Sequence, residues 1–204
     1  MVERGNSMSR KKGIAVAVVL LLVLLIGGML AYFTDKDTAT NTFTIGDDIE
    51  ITLNEVWTQA DGQNVHPGAN ITKKPSIHND SATTQAYVFL EVIVPCYKVG
   101  TTYDTPLFNY TANLTDWMLV SESAINQETK TITYVYAYKD GSNLKSLAAG
   151  ASTSNLFESV NVAESLTSEQ ADTIVTPNIV INAYGIQTDN LGSKTPAQIF
   201  EIFD

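Results

Sequence analysis

Residues 87–95 read YVFLEVIVP, and this stretch decides the fold class. Val88, Leu90, Val92 and Val94 share one parity, so an extended backbone puts all four on one face of a strand. Pro95 has no N–H to give to a ladder and reads as the strand's end. Downstream, Tyr103–Tyr110 contains Pro106 and reads as a loop, and Asp116–Ser121 reads as a short strand. Thr131–Tyr138 alternates, with Ile132, Tyr134, Tyr136 and Tyr138 on one side, and Asp140-Gly141 follows with the turn chemistry of a hairpin. Thr153–Val162 can form a further strand. Asn178–Gln187 is the last, with apolar residues on both parities and therefore both faces covered. Upstream, Ile49, Ile51 and Leu53 line one face while Glu50 and Thr52 turn away, and the turn His66-Pro67-Gly68-Ala69-Asn70 leads into a strand over Ile71–Ile77. Short helices are expected at Leu166–Ala171 and from Thr195-Pro196-Ala197-Gln198, where an N-cap Thr precedes Pro and a Gln follows three residues after the cap. About eight strands without β-helix-β alternation predict an all-β, antiparallel sandwich.

The 204 residues are 44% apolar, with 12 Lys+Arg against 22 Asp+Glu, which suits a globular domain and not a disordered chain. No basic cluster follows residue 12, so a nucleic-acid partner is excluded. Cys96 is the single cysteine, which rules out an intrachain disulfide and a cysteine-based zinc site, and His66 and His78 are the only imidazoles.

Charge is concentrated at the start. Arg4, Arg10, Lys11 and Lys12 precede an uncharged run from Gly13 to Phe33 whose core, Ile14–Ile26, reads IAVAVVLLLVLLI. A basic flank, an apolar core of signal-peptide length, the helix-breaking Gly27-Gly28 and a small Ala31 describe an export signal cleaved between Ala31 and Tyr32. The alternative is a retained membrane anchor, since the whole run is just long enough to span a bilayer. The chain then divides into a signal peptide (1–31), an N-terminal segment (32–47) and a β-sandwich domain (48–204). Removing residues 1–31 takes away four basic and one acidic side chain and leaves a net charge of −13. Such an exported domain is kept soluble by its charge.

LAYFTDKDTATNTFTIGDDIEITL, HPGANITKKPSIHNDSATTQAYVFLEV and INAYGIQTDNLGSKTPAQIFEIF, taken with the signal, resemble the TasA/camelysin family of exported Gram-positive proteins. The resemblance implies a jelly-roll-like sandwich, a SipW-type signal peptidase as a partner during export, and a secreted or cell-surface location in a biofilm matrix. It also implies fibres built by donor-strand exchange, the segment after the signal filling a groove in the next subunit. The matching positions are Tyr32–Ile45, with Phe33, Phe43 and Ile45 as the assembly strand, and the partner would be a second copy or a homologous fibre subunit. In the other reading, Phe43 and Ile45 start the protein's own first strand. The family also includes a member described as a metalloprotease, and a surface adhesion or binding module held by an uncleaved anchor is a further alternative.

The residues themselves offer little chemistry. There is no HExxH, GxSxG, GxxxxGK[ST] or GxGxxG, and His66 and His78 stand twelve residues apart across a Pro-Gly turn and a lysine-bearing strand. Asp80 is a third candidate ligand beside them. Asp47-Asp48-Glu50 and Asp61-Gly62-Gln63-Asn64 lack the DxDxDG spacing of a calcium loop. Tyr134, Tyr136 and Tyr138 are expected in the core. Asn70-Ile71-Thr72, Asn79-Asp80-Ser81, Asn109-Tyr110-Thr111 and Asn113-Leu114-Thr115 match the glycosylation tripeptide, as chance allows in a chain rich in Asn and Thr. The expectation is therefore a structural protein and not an enzyme, with no catalytic residue, metal ligand, cofactor or small-molecule substrate.

Overall fold

The computed structural model describes residues 49–57, 65–174 and 177–203, together with the backbone of 41–45. The expected signal helix, Asp47, Asp48 and the turn at Asp61–Asn64 lie outside the described residues.

Two β-layers enclose the core. In the first, β5 (Ala86–Val99) is central, with β12 (Val180–Gln187) antiparallel on one side and β9 (Thr131–Asp140) antiparallel on the other. Beyond β9 lie β8 (Trp117–Glu122) and the two-residue β10 (Asn143–Leu144), and beyond β12 lies β1 (Asn41–Ile45). The second layer begins with β2 (Ile51–Val56) against β4 (Lys74–Asn79), and continues through β3 (Asn70–Thr72), β11 (Ser159–Val162) and β7 (Phe108–Tyr110). Its two parts are stitched together where the segment leading into β11 runs beside β4, with Thr153 N–H donating to Ile77 O (2.8 Å) and Leu156 N–H to Pro75 O (2.9 Å). The expected all-β, antiparallel class is what the structure contains. The one parallel pairing among the described residues is β1 with β12.

Period-two patterning explains the core. Val88, Leu90, Val92 and Val94 turn inward and are fully buried, meeting Ile51 and Leu53 from β2, Ile77 from β4 and Val160 and Val162 from β11. Trp117 is also fully buried, its indole N–H donating to Ser154 O (3.2 Å). Tyr136 and Tyr138 lie in this core as expected, with Tyr134 packed partly against it. The outer face of the first layer is apolar too. Phe89, Val135, Ala137 and Ile186 are covered by α2 (Pro196–Phe200) and the 3-10 turn Glu201–Phe203, whose Ile199, Phe200 and Phe203 complete a second cluster. Phe89 and Tyr184 meet Phe200 at 5.6 and 5.1 Å between ring centroids. Both faces of the last strand are thus covered, as its pattern indicated.

Several local expectations change: the strand expected over Ile71–Ile77 is divided between β3 and β4, and that expected over Thr153–Val162 is confined to β11. β5 does not stop at Pro95 but runs four residues further. Pro95 falls where the strand exchanges β9 for β6 (Thr102–Pro106), so no ladder bond requires its missing N–H, and its carbonyl accepts from Leu107 N–H at 2.7 Å. The stretch read as a loop over Tyr103–Tyr110 instead forms β6 and β7 on either side of the buried Leu107. Finally, α1 (Ser168–Ala171) starts later than Leu166, because Thr167 and Gln170 form a reciprocal capping box. Thr195 and Gln198 do the same for α2, with Pro196 at its first position.

Candidate functional site

β12 carries the feature that bears most on function. It is paired on both sides, with β5 from Val180↔Ile93 to Gln187↔Ala86 and with β1 from Asn41↔Asn182 to Ile45↔Ile186. A parallel strand needs no tight turn to its neighbour, so β1 occupies this edge as a separate segment touching one strand of the sheet. The edge is shaped for close approach. A Cβ on Gly185 would come within 3.1 Å of Ile51 Cδ1 and 3.2 Å of its Cγ2, so the bare glycine lets the start of β2 close over β12. On the outer face Asn182 Nδ2 and Tyr184 O–H both donate to Glu91 Oε2, at 2.8 and 3.0 Å, while Asn182 Oδ1 is buried without a hydrogen-bond partner.

Of the residues singled out in the sequence, Phe43 and Ile45 lie in β1, opposite Tyr184 and Ile186 in register. Ala31, Tyr32 and Phe33 lie outside the described residues. Asn182 and Glu91 were not singled out. Their meeting is a cross-strand contact between residues 91 positions apart, for which a single strand's pattern carries no signal.

The histidines are not drawn into a shared site. His66 is exposed, with Nδ1 3.0 Å from the Pro67 carbonyl. His78 lies across from Ser152, Nδ1 to Oγ 2.8 Å, with Asp80 Oδ1 3.6 Å from Nε2, too long for a hydrogen bond. Among the described residues no group of three or more His, Cys, Asp or Glu side chains could hold a metal ion. Cys96 is buried, and desolvation above all pushes its thiol up to about 11, so the thiolate that would act as a nucleophile is scarce at neutral pH. Burial likewise drives the Tyr110 phenol upward, helped by its hydrogen bond with Tyr136 O–H at 3.3 Å. These tyrosines are packing groups joined by a half-buried hydrogen bond.

The described residues thus form an all-β sandwich with β1 paired in parallel along β12. Residues 7–104 match the family model of the camelysin metallo-endopeptidases, so just under half of the chain is similar to that family, in line with the TasA/camelysin resemblance of the sequence. No curated protein matches. Among solved structures the chain is similar to one in a type I cohesin–dockerin complex from Clostridium thermocellum ATTC 27405, at 14% identity and a TM-score of 0.28, over 69% of this chain and 99% of that one. A likeness of that size carries no argument.

The family's description implies a metal, and the described residues do not supply a ligand set for one. The expected outcome is that the purified protein leaves unfolded casein intact in the presence of zinc. Cleavage that a chelator stops, and that His66→Ala or His78→Ala abolishes, would establish a peptidase.

Proposed function

We propose that this chain is an exported structural subunit or fibre-associated protein of an extracellular matrix, joined to its neighbours by donor-strand exchange through residues 32–45. The observation that carries this reading is the parallel β1–β12 pairing: a segment whose only strand pairing among the described residues is along one sheet edge is replaceable by the same segment of another copy in the same register. The camelysin-family match over residues 7–104 agrees with the TasA/camelysin resemblance, and it is that resemblance which implies fibre assembly. A head-to-tail joint of this kind need not close and yields an open filament. The net charge of −13 beyond residue 31 opposes lateral approach, so assembly should be favoured by salt or by pH falling toward the ordinary carboxylate range of about 4.

Two measurements test the reading. First, N-terminal sequencing of extracellular protein should find a chain beginning within two residues of Tyr32; an intact Met1 on membrane-embedded protein would instead make the domain an anchored surface module. Second, the intact exported protein should pellet and show filaments by negative-stain microscopy, while deletion of Tyr32–Asn41 should leave a folded monomer. Filaments from the truncated form, or a monomer from the intact form across salt and pH, would remove donor-strand exchange and leave β1 as the protein's own strand. A second reading, an exported peptidase, rests on the family's description alone, and the casein assay above decides it.

A further inference from the structure

The outer face of the β3–β11–β7 sheet differs from the rest of this acidic protein. Ile71, Val160 and Val162 turn inward and are buried, so the alternate residues Asn70, Thr72, Ser159, Asn161 and Asn109 face outward, and none of them is charged. The register sets Asn70 beside Asn161 and Asn161 beside Asn109, three amides abreast at the spacing of adjacent strands, about 4.8 Å, with Thr72 beside Ser159 in the next row. One of the glycosylation-like tripeptides lies on this face. In Asn70-Ile71-Thr72 the first and third residues share the polar outer face because a strand alternates, while of Asn109-Tyr110-Thr111 the strand places Asn109 there and ends at Tyr110.

The array is held in place. Asn70 Nδ2 donates both to Ser159 Oγ (2.9 Å) and to Asn161 Oδ1 (2.7 Å), which leaves Asn161 Nδ2 and the Asn109 side chain to face solvent. It runs into a cleft of about 370 Å³ lined by Thr111, Asn113, Asn155, Glu158, Ser159 and Asn161, with the buried Phe157 beneath. Asn155 donates to Glu158 at 2.9 Å, and Glu158 also pairs with Lys74, so the single acid on the rim is balanced by a cation. Those two contacts hold the Glu158 carboxyl below its ordinary range.

We propose that this face binds a strand of neutral polysaccharide. Sugar hydroxyls both donate and accept, and a row of amides and hydroxyls offers both in a fixed arrangement that binding need not reorganise. The outward residues of the three strands carry no charge to desolvate, the one acid on the cleft rim is already paired with Lys74, and repeated weak contacts along one polymer add up. An anionic polymer meets the field of a chain with net charge −10. A second copy of the chain meets the same repulsion, and the face lacks the apolar centre of a stable protein interface. The inference is independent of the assembly mechanism, because the face belongs to the layer opposite β1 and β12.

Affinity electrophoresis of the full chain in non-ionic detergent, through native gels carrying laminarin, dextran, hydroxyethylcellulose or polygalacturonate, tests the proposal. At least one neutral glucan should retard the protein, polygalacturonate should not, and Asn109→Ala and Asn161→Asp should each weaken retardation at least fivefold with unchanged circular dichroism and melting. Asn109 is exposed, so its truncation carries the test even where Asn161→Asp disturbs the sheet. No retardation in any of the three neutral glucans, retardation that both variants keep, or retardation by polygalacturonate alone would overturn it. So would self-association that the variants abolish in a protein no glucan retards.

Discussion

Removing Pro196–Asp204 should lower the stability of the folded domain by about 4–6 kcal/mol and expose an apolar surface that binds a hydrophobic dye. The physical reason is the second cluster on the outer face of the first layer. Phe89 and Ile186 are fully or almost fully buried, and Ile199, Phe200 and Phe203 form part of their outer cover. Phe200 meets Phe89 and Tyr184, and Phe203 meets the same two rings at 6.0 and 5.1 Å. Fully burying one such side chain contributes roughly 1.5–3 kcal/mol, and the buried Ile199 and the half-buried Phe200 and Phe203 are withdrawn together. At roughly 2–4 °C per kcal/mol for a domain of this size, the melting temperature should drop by at least 8 °C. The point variant Phe200→Ala should show about half of the loss, since Ile199 and Phe203 remain in place. Urea denaturation and dye fluorescence check both. A truncated protein that melts with the intact one and binds no dye would mean that the helix is an ornament on a face already protected.

Breaking the Glu55–Lys73 pair from the acidic side should cost about 3 kcal/mol, and from the basic side distinctly less. Lys73 Nζ lies 3.0 Å from Glu55 Oε1 and 3.1 Å from Oε2, with the Trp57 ring centroid at 5.5 Å. The lysine side chain is 6% exposed and the glutamate 20%. Glu55→Ala therefore strands a buried ammonium with only a ring face for company, whereas Lys73→Met leaves a carboxylate that still reaches water. Replacing both, as Lys73→Met with Glu55→Leu, should recover most of the loss, because an apolar pair of similar volume has no desolvation to offset. Lys74 is the internal control: its partner Glu158 is 65% exposed, so Lys74→Ala should cost under about 1 kcal/mol. The four variants are compared by equilibrium urea unfolding. Equal costs for Glu55→Ala and Lys74→Ala would show that the buried pair does not set the stability of this end of the sandwich.

Much of the fold was legible in short stretches. The alternation at Val88–Val94 and Ile132–Tyr138 set the strands and their inward faces, since a strand's side-chain period is a local property of its backbone. The same holds for the capping box at Thr195 and Gln198, a contact between residues three apart. Lys73 stands on the same parity as the buried Ile71 and Ile77, so its inward position was present in the pattern, yet only the arrival of Glu55 from β2 makes that position tolerable. The candidate functional surfaces depended on longer distances. Pairing of Asn41–Ile45 with Asn182–Ile186 joins segments about 140 positions apart, and the row Asn70–Asn161–Asn109 requires three strands that are scattered along the chain. Pro95 ends a strand when read alone but sits inside one in the folded protein, because the partner changes where its N–H is missing. By itself, then, the sequence determined the charge, the strand faces, the helix caps and the likeness of residues 7–104 to the camelysin family. Tertiary structure decided which edge takes β1, what covers the outer apolar face and which polar side chains stand abreast, because strand partners and register are set by packing between distant segments and not by any one segment's pattern.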